Sequence, residues 1–167
     1  GGVTSFAVFQ GGAMIFSDAI ALGGKHVTSD IAKGLTTSLA DAERLKALYG
    51  SAVAATTDES ELIDVPRLGE SERQEPNHVP RSLLVGIIQP RIEEIFELIR
   101  ARLKDSGLGT ALGRRVVLTG GASQIQGLRD LGQHVLDKQV RLGRPIRLGG
   151  LPDAVSGPAF ATTAGLL

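Results

Sequence analysis

Apolar and polar side chains nearly alternate along Val3-Thr4-Ser5-Phe6-Ala7-Val8-Phe9, a period of two that predicts a β-strand. Gln10-Gly11-Gly12 supplies a tight turn, and Ala13 to Leu22 predicts a returning strand with Met14 and Phe16 on one face. Gly23-Gly24 breaks that strand. The apolar period then lengthens: Val27, Ile31 and Leu35 recur every four residues and predict a helix from Lys25 to Leu35. A second helix starts at Ser38, whose hydroxyl can cap the first amides with Asp41 three residues on. It carries Leu39, Ala42, Leu45 and Leu48 and stops at Gly50. Residues 51–80 are the least regular stretch. Glu61 to Val65 predicts a short strand, while the charged, proline-containing stretch from Gly69 to Pro80 reads as a mobile loop. In the long helix that follows, Leu84, Ile88, Ile92, Ile95, Ile99 and Leu103 mark one stripe. Pro90 inside it would clash with the carbonyl of Gly86, which predicts a kink. Ser106-Gly107 ends it.

The last third returns to alternating strand and helix. Arg115 to Thr119 is a continuous apolar run, as in a strand covered on both faces. Gly120-Gly121 turns the chain, and Ser123 with Gln126 predicts a capping box for a helix carrying Ile125, Leu128, Leu131 and Val135. Val140 to Leu142 is a short strand and Pro158 to Leu167 a small-residue helix. The order is thus β-β-α, a mostly helical insert at 36–107, then β-α-β-α. That predicts an α/β domain made of 1–35 and 108–167, interrupted by the insert.

Composition narrows the function. A chain of 167 residues, 42% hydrophobic and 22% charged, buries a core and is not disordered. It has no cysteine, which excludes disulfides, thiolate zinc sites and a cysteine nucleophile, and fits a reducing cytoplasm. No apolar run approaches the ~18 residues of a membrane span. The chain opens Gly1-Gly2-Val3 without methionine and reads as a piece of a longer protein. Its net charge of zero hides an asymmetry: thirteen acids against nine bases at 36–107, three against seven at 108–167. The basic third, Arg114, Arg115, Arg129, Arg141, Arg144 and Arg147 among it, lacks interleaved aromatics, so a solvated surface is favoured over a nucleic-acid groove.

Phosphate-loop, GxGxxG, GxSxG and HExxH motifs are absent, and His26, His78 and His134 have no metal-ligand spacing. Glycine pairs at strand–helix junctions remain. Thr119-Gly120-Gly121-Ala122-Ser123 lets a flat ligand lie against the backbone, although tight strand–helix packing would also require such glycines. In Gly1-Gly2-Val3-Thr4, backbone amides could cradle a phosphate and the threonine hydroxyl hold an oxygen or metal-bound water. Gly23-Gly24 is a third pair. Glu43 and Lys46, three apart on one helix face, are either a surface ion pair or a grip for a ribose hydroxyl and an adenine edge.

Gly1-Gly2-Val3-Thr4 resembles the end of the second phosphate motif, DxGxGT, of the actin, heat-shock chaperone and sugar-kinase ATPase superfamily, in the Gly-Val-Thr variant of actin. Val116 to Gly121 resembles its adenosine motif. Leu22-Gly23-Gly24 with Val27-Thr28-Ser29-Asp30-Ile31-Ala32, Ala42-Glu43-x-x-Lys46 ending at Tyr49-Gly50, Pro90-Arg91-Ile92-Glu93-Glu94 and Leu118 to Leu128 resemble the bacterial FtsA cell-division family. Part of this is shared with MreB-like filament proteins, and half of a sugar kinase or chaperone ATPase is the alternative from another class. The FtsA resemblance implies an actin-like, ribonuclease-H-like subdomain at 1–35 and 108–167 with an inserted subdomain at 36–107. It implies ATP with Mg2+ as ligand of the full-length protein, at most slow hydrolysis, and an inactive isolated piece. Gly1, Gly2, Thr4, Gly24, Glu43, Lys46, Gly120, Gly121 and Ala122 are its implied nucleotide contacts. The implied partners are further copies in a filament and the FtsZ C-terminal tail, received by Arg91, Glu94, Ile88 and Phe96 with Ile87 and Arg81 nearby, although Arg91 could equally do no more than pair with Glu93 or Glu94 on the surface. The implied location is the cytoplasmic face of the plasma membrane at the division site, with attachment through a C-terminal helix absent here. No nucleic acid is implied.

Overall fold

The computed structural model describes residues 1–67, 77–109, 112–145 and 156–166. Strands β1 (Thr4–Gln10) and β2 (Ala13–Ile20) form an antiparallel hairpin about the Gly11-Gly12 turn, as the alternation predicts. Its register slips once: Val8 opposes Phe16, but Phe9 opposes Met14. Ile15 is therefore an extra residue in a bulge. The slip puts Phe16 on the face of Val8 and Met14 on the face of Phe9, so the expected shared face of Met14 and Phe16 is not formed. Phe16 packs 6.2 Å from the ring of Phe6, while Met14 is 59% exposed.

Helix α1 (Gly24–Gly34) buries Val27 and Ile31. Helix α2 (Leu39–Tyr49) is capped as predicted, Ser38 Oγ accepting from the Asp41 amide at 3.1 Å. It buries only Ala42 and Leu45; Leu39 and Leu48 face outward. Beyond it, β3 (Leu62–Val65) pairs antiparallel with β4 (Asn77–Pro80), Ile63 opposite Val79. The expected loop over 69–80 is thereby corrected at its end. One proline and two polar residues conceal a strand that exists because Ile63 and Val65 need cover; residues 68–76 lie outside the described structure.

Helix α3 (Arg81–Asp105) runs as one helix through Pro90, with the expected stripe buried except Leu103, which is only partly covered, and with Val85 and Phe96 added to it. Gly86 and Pro90 both lie on its exposed side, where the carbonyl that the proline ring leaves without a donor is open to solvent. Its buried residues pack between α1 and helix α4 (Leu128–Leu136) in one continuous core. The packing therefore does not break at residue 107: α3 belongs to the body as much as to the insert.

Strand β5 (Arg115–Leu118) lies parallel to β6 (Gln139–Leu142), Val116 opposite Val140. Among the described residues β5 is covered on one face only, with Val117 47% exposed, against the expectation of two covered faces. The capping box expected at Ser123 is also corrected. Ser123 Oγ donates to the Gly120 carbonyl at 2.7 Å and closes a short 3-10 turn, Gly121–Gln124. Helix α4 begins only after Gly127, whose φ of +73° is the left-handed conformation that favours glycine. A 3-10 turn, Pro158–Phe160, leads into α5 (Ala161–Leu166).

Arg81, the first residue of α3, ties these parts together. Its Nε donates to the Tyr49 carbonyl at 2.9 Å, Nη1 to Asp58 at 2.8 Å and Glu61 at 3.2 Å, and Nη2 to the Gln126 side chain at 3.0 Å. The Asp58 side chain is 2% exposed and also accepts from the Ala55 amide. Removing one partner of such a pair strands a buried charge. Arg81→Ala is therefore expected to destabilise the chain by about 3–5 kcal/mol. The double change with Asp58→Ala should cost clearly less than the sum of the single changes, as read from urea unfolding midpoints.

Candidate functional site

The three glycine pairs, far apart in sequence, converge. The Lys25 amide at the start of α1 donates to the Gly1 carbonyl at 3.1 Å. A Cβ on Gly23 would stand 2.8 Å from that same oxygen, so only glycine lets the opening segment lie against the α1 entrance. A Cβ on Gly24 would meet the Ala122 Cβ at 3.3 Å and the Lys46 Nζ at 3.9 Å. Gly1-Gly2, Gly23-Gly24, the turn after β5 and the middle of α2 thus form one patch. In front of Gly2, Gly120 and Gly121 there is open space: a Cβ there would meet nothing within 4 Å. Thr4 is half-buried, its hydroxyl donating to the Leu22 carbonyl at 2.7 Å, which leaves its oxygen only as an acceptor.

On the α2 side, Lys46 is the centre. Its ammonium has three N–H donors. They go to the Gly24 carbonyl at 3.2 Å, the Thr28 hydroxyl at 2.7 Å and Glu43 Oε2 at 2.7 Å. The side chain is 10% exposed, against 59% for Glu43. The spacing of three places both on one face as predicted, but the two differ in role. Lys46 is a buried strut with its protons committed, and Glu43 is the group that meets solvent. Thr28 was not singled out from sequence, although it lies one helical turn after Gly24 and bonds to that residue's carbonyl at 3.0 Å. Its hydroxyl lies 2.5 Å from Glu43 Oε2. Burial pushes the Glu43 carboxyl up, but the hydrogen bonds from Lys46 and Thr28 and the Lys46 charge outweigh it and hold it below the ordinary carboxylate range.

The residues expected to receive a peptide lie elsewhere and differ from that expectation. Ile88 is fully buried and Phe96 is 4% exposed, both inside the core, so neither lines a groove. Their places in the apolar stripe are core places, and the stripe alone does not distinguish the two roles. Arg91 Nε donates to Asp30 of α1 at 2.5 Å and fastens α3 to α1, while its Nη1 pairs with Glu94 on α3 itself. Ile87 is partly buried against the core. An open hollow of about 440 Å3 does exist at the far end of α1, lined by Gly34, Leu35, Thr36, Arg67, Asn77, Val79 and Leu83. Among the described residues no three His, Asp or Glu side chains are grouped to hold a metal.

This arrangement is the actin-like ATPase fold. MreB5 of Spiroplasma citri bound to ADP superposes with a TM-score of 0.73 at 17% identity, over 99% of this chain and 49% of that one. PilM of a PilM–PilN type IV pilus biogenesis complex does so at 0.67 and 22%, over 99% of this chain and 42% of that one. The family model described as cell division protein FtsA matches residues 1–165, and the chain belongs to that family. Cell division protein FtsA of Rhizobium meliloti is 50% identical over the whole of this chain, which spans 38% of that relative's length. That of Escherichia coli K12 is 36% identical, with the chain spanning 41% of it.

A pH dependence follows from Glu43. Its carboxyl is held below the unfolded value, about 4.3 for Glu. Its contribution to stability is therefore complete above that value and is lost as pH falls through the lower folded one. Glu43→Gln should lower the unfolding midpoint at neutral pH, and the deficit should close below about pH 4. Urea titrations of both proteins across that range measure it, and a deficit that persists in acid would show that the ion pair is not its source.

Proposed function

We propose that this chain is one jaw of an ATP-binding, filament-forming cell-division protein, carrying the phosphate and adenosine sides of the cleft. The convergence of the glycine pairs on an open floor carries this reading. Gly1, Gly2, Gly120, Gly121 and Ala122 would let a nucleotide lie against the backbone, with Gly24 buried beneath Ala122 so that the two segments close up, and the N-terminal end of α1 favours its negative charge. Glu43 would meet the ribose from the α2 side, with Lys46 behind it. The MreB5 structures bound to ADP and to AMPPNP are consistent with this use of the fold. We propose ATP with Mg2+ as ligand of the full-length protein, and linkage more than turnover as its purpose. By the same family resemblance it would polymerise and tether FtsZ filaments to the cytoplasmic membrane, held there by a segment outside these residues. We assign the body to 1–35 and 81–167 and the insert to 36–80, because α3 shares the core of α1 and α4.

The FtsZ tail, a short acidic-apolar peptide, needs an apolar seat and a positive group. The hollow at the far end of α1 offers Val79 and Leu83 as that apolar seat, where Ile88 and Phe96 do not. Leu83, 48% exposed, would be its anchor.

Two measurements test these readings in the full-length protein. Gly121 has open space before it and no left-handed φ, so Gly121→Val should fold normally and lose MgATP binding in calorimetry. Retained binding would remove the floor from the site. For the tail, Leu83→Asp should weaken binding of a fluorescent peptide about tenfold in anisotropy, about 1.4 kcal/mol, with MgATP affinity unchanged. Equal peptide affinity would place the seat elsewhere.

A further inference from the structure

We infer that Thr28 is a positioning residue for ribose recognition, fixing the Glu43 carboxylate so that its second oxygen is presented to the nucleotide hydroxyls. The inference rests on the proposed nucleotide site and concerns how that site is held. A threonine hydroxyl has a single proton and accepts through its lone pairs. Here Lys46 Nζ donates to it at 2.7 Å, which orients the proton away, toward an acceptor. Two acceptors stand within reach, Glu43 Oε2 at 2.5 Å and the Gly24 carbonyl at 3.0 Å. The shorter contact to a charged oxygen is the stronger bond. Oε2 therefore receives both Thr28 and Lys46, and Oε1 receives no donor among the described residues. Thr28 itself is 6% exposed and Lys46 nearly as covered, so neither is placed to touch a ligand as freely as Glu43 does. One carboxylate oxygen is anchored and the other is left without a donor, on a side chain that is 59% exposed. That is the requirement for accepting a hydroxyl in a fixed direction, and it costs the ligand no ordering of the side chain.

A threonine kept only to fill space would behave differently. Replacing it by valine keeps the shape and removes the hydroxyl, so packing alone would survive. Loss of the hydroxyl frees the carboxylate to rotate, and the ribose-reading part of affinity should fall while the phosphate part stays.

The test uses full-length protein and calorimetry with ATP, 2′-deoxyATP and 3′-deoxyATP. Wild type is expected to prefer ATP over at least one deoxy analogue by about tenfold, the size of one charged hydrogen bond. Thr28→Val should bring that preference to within about twofold, and Thr28→Ser, which keeps the hydroxyl, should restore it. In the nucleotide-free protein, carbon-13 NMR should show the Glu43 carboxyl titrating higher in Thr28→Val than in wild type and again low in Thr28→Ser. If valine disturbs folding, Thr28→Ala against Thr28→Ser makes the same comparison. A wild-type preference that survives in Thr28→Val, or no preference in wild type at all, overturns the inference while leaving ATP binding intact. Wild-type protein that binds no nucleotide overturns the site itself. An unchanged Glu43 titration in Thr28→Val overturns the positioning role whatever the nucleotide result.

Discussion

Four stretches of chain meet on the guanidinium of Arg81: the end of α2, the loop before β3, the start of α3 and the turn that follows the second half of the glycine floor. Three of these contacts are to segments more than twenty residues away. A lysine would not substitute, because three directions are served by a rigid planar fork and not by a point charge. Asp58, buried beneath it, is tolerable only because this fork and the Ala55 amide satisfy it. The Ala52 amide adds a bond to the Gln126 carbonyl at 2.8 Å from the same side. The insert base and the turn after β5 are in this way one rigid unit. Gly120 to Ala122 can approach Gly24 closely because that unit fixes where the turn begins.

The same economy of donors explains the α2 side of the site. Lys46 is held between Gly24, Thr28 and Glu43, so α2 is pinned to α1 by an ammonium group at the point where the floor ends. A desolvated ammonium with all three protons used is stable; one asked to reach a ligand would first have to break one of those bonds. The arrangement therefore separates support from contact, with Lys46 and Thr28 behind and Glu43 in front. On the other face of α1, Arg91 performs a comparable fastening to Asp30, and that hydrogen bond holds its guanidinium still more firmly charged than usual.

Much of this was legible in the sequence, and the exceptions have physical causes. The hairpin, α1, α2 and α3 followed from apolar period because each buries one face. The bulge at Ile15 was invisible, since a register slip depends on the partner strand and not on local pattern. β4 was missed because Asn77 to Pro80 has weak strand propensity and forms only where Ile63 and Val65 await cover. Ser123 has the composition of a cap but uses its hydroxyl to close the turn before it, so α4 starts later. Glycine pairs announced the floor; Ile88 and Phe96 misled because a long apolar stripe looks alike whether it meets a core or a peptide. The saturation of Lys46 required coordinates, for spacing shows that two residues share a face and not which of them is covered.

Glu43 and Lys46 stand on α2, in the segment we assign to the insert, whereas the glycine floor lies in the segments we assign to the body. A ligand touching both would gain its full interaction energy in the arrangement that the Lys46 and Arg81 contacts hold in place. By thermodynamic linkage, any second ligand that favours that arrangement strengthens the first, and the first strengthens it equally. The hollow lined by Gly34, Leu35, Val79 and Leu83 spans this same junction, with α1 and α3 of the body on one side and β4 of the insert on the other. The two sites proposed above thus lie at opposite ends of α1, and Thr36, where α1 gives way to α2, is held at a left-handed φ of +51°. Occupancy at either end acts on the other only through its preference for one insert orientation, so the coupling can be no larger than the difference in affinity between orientations.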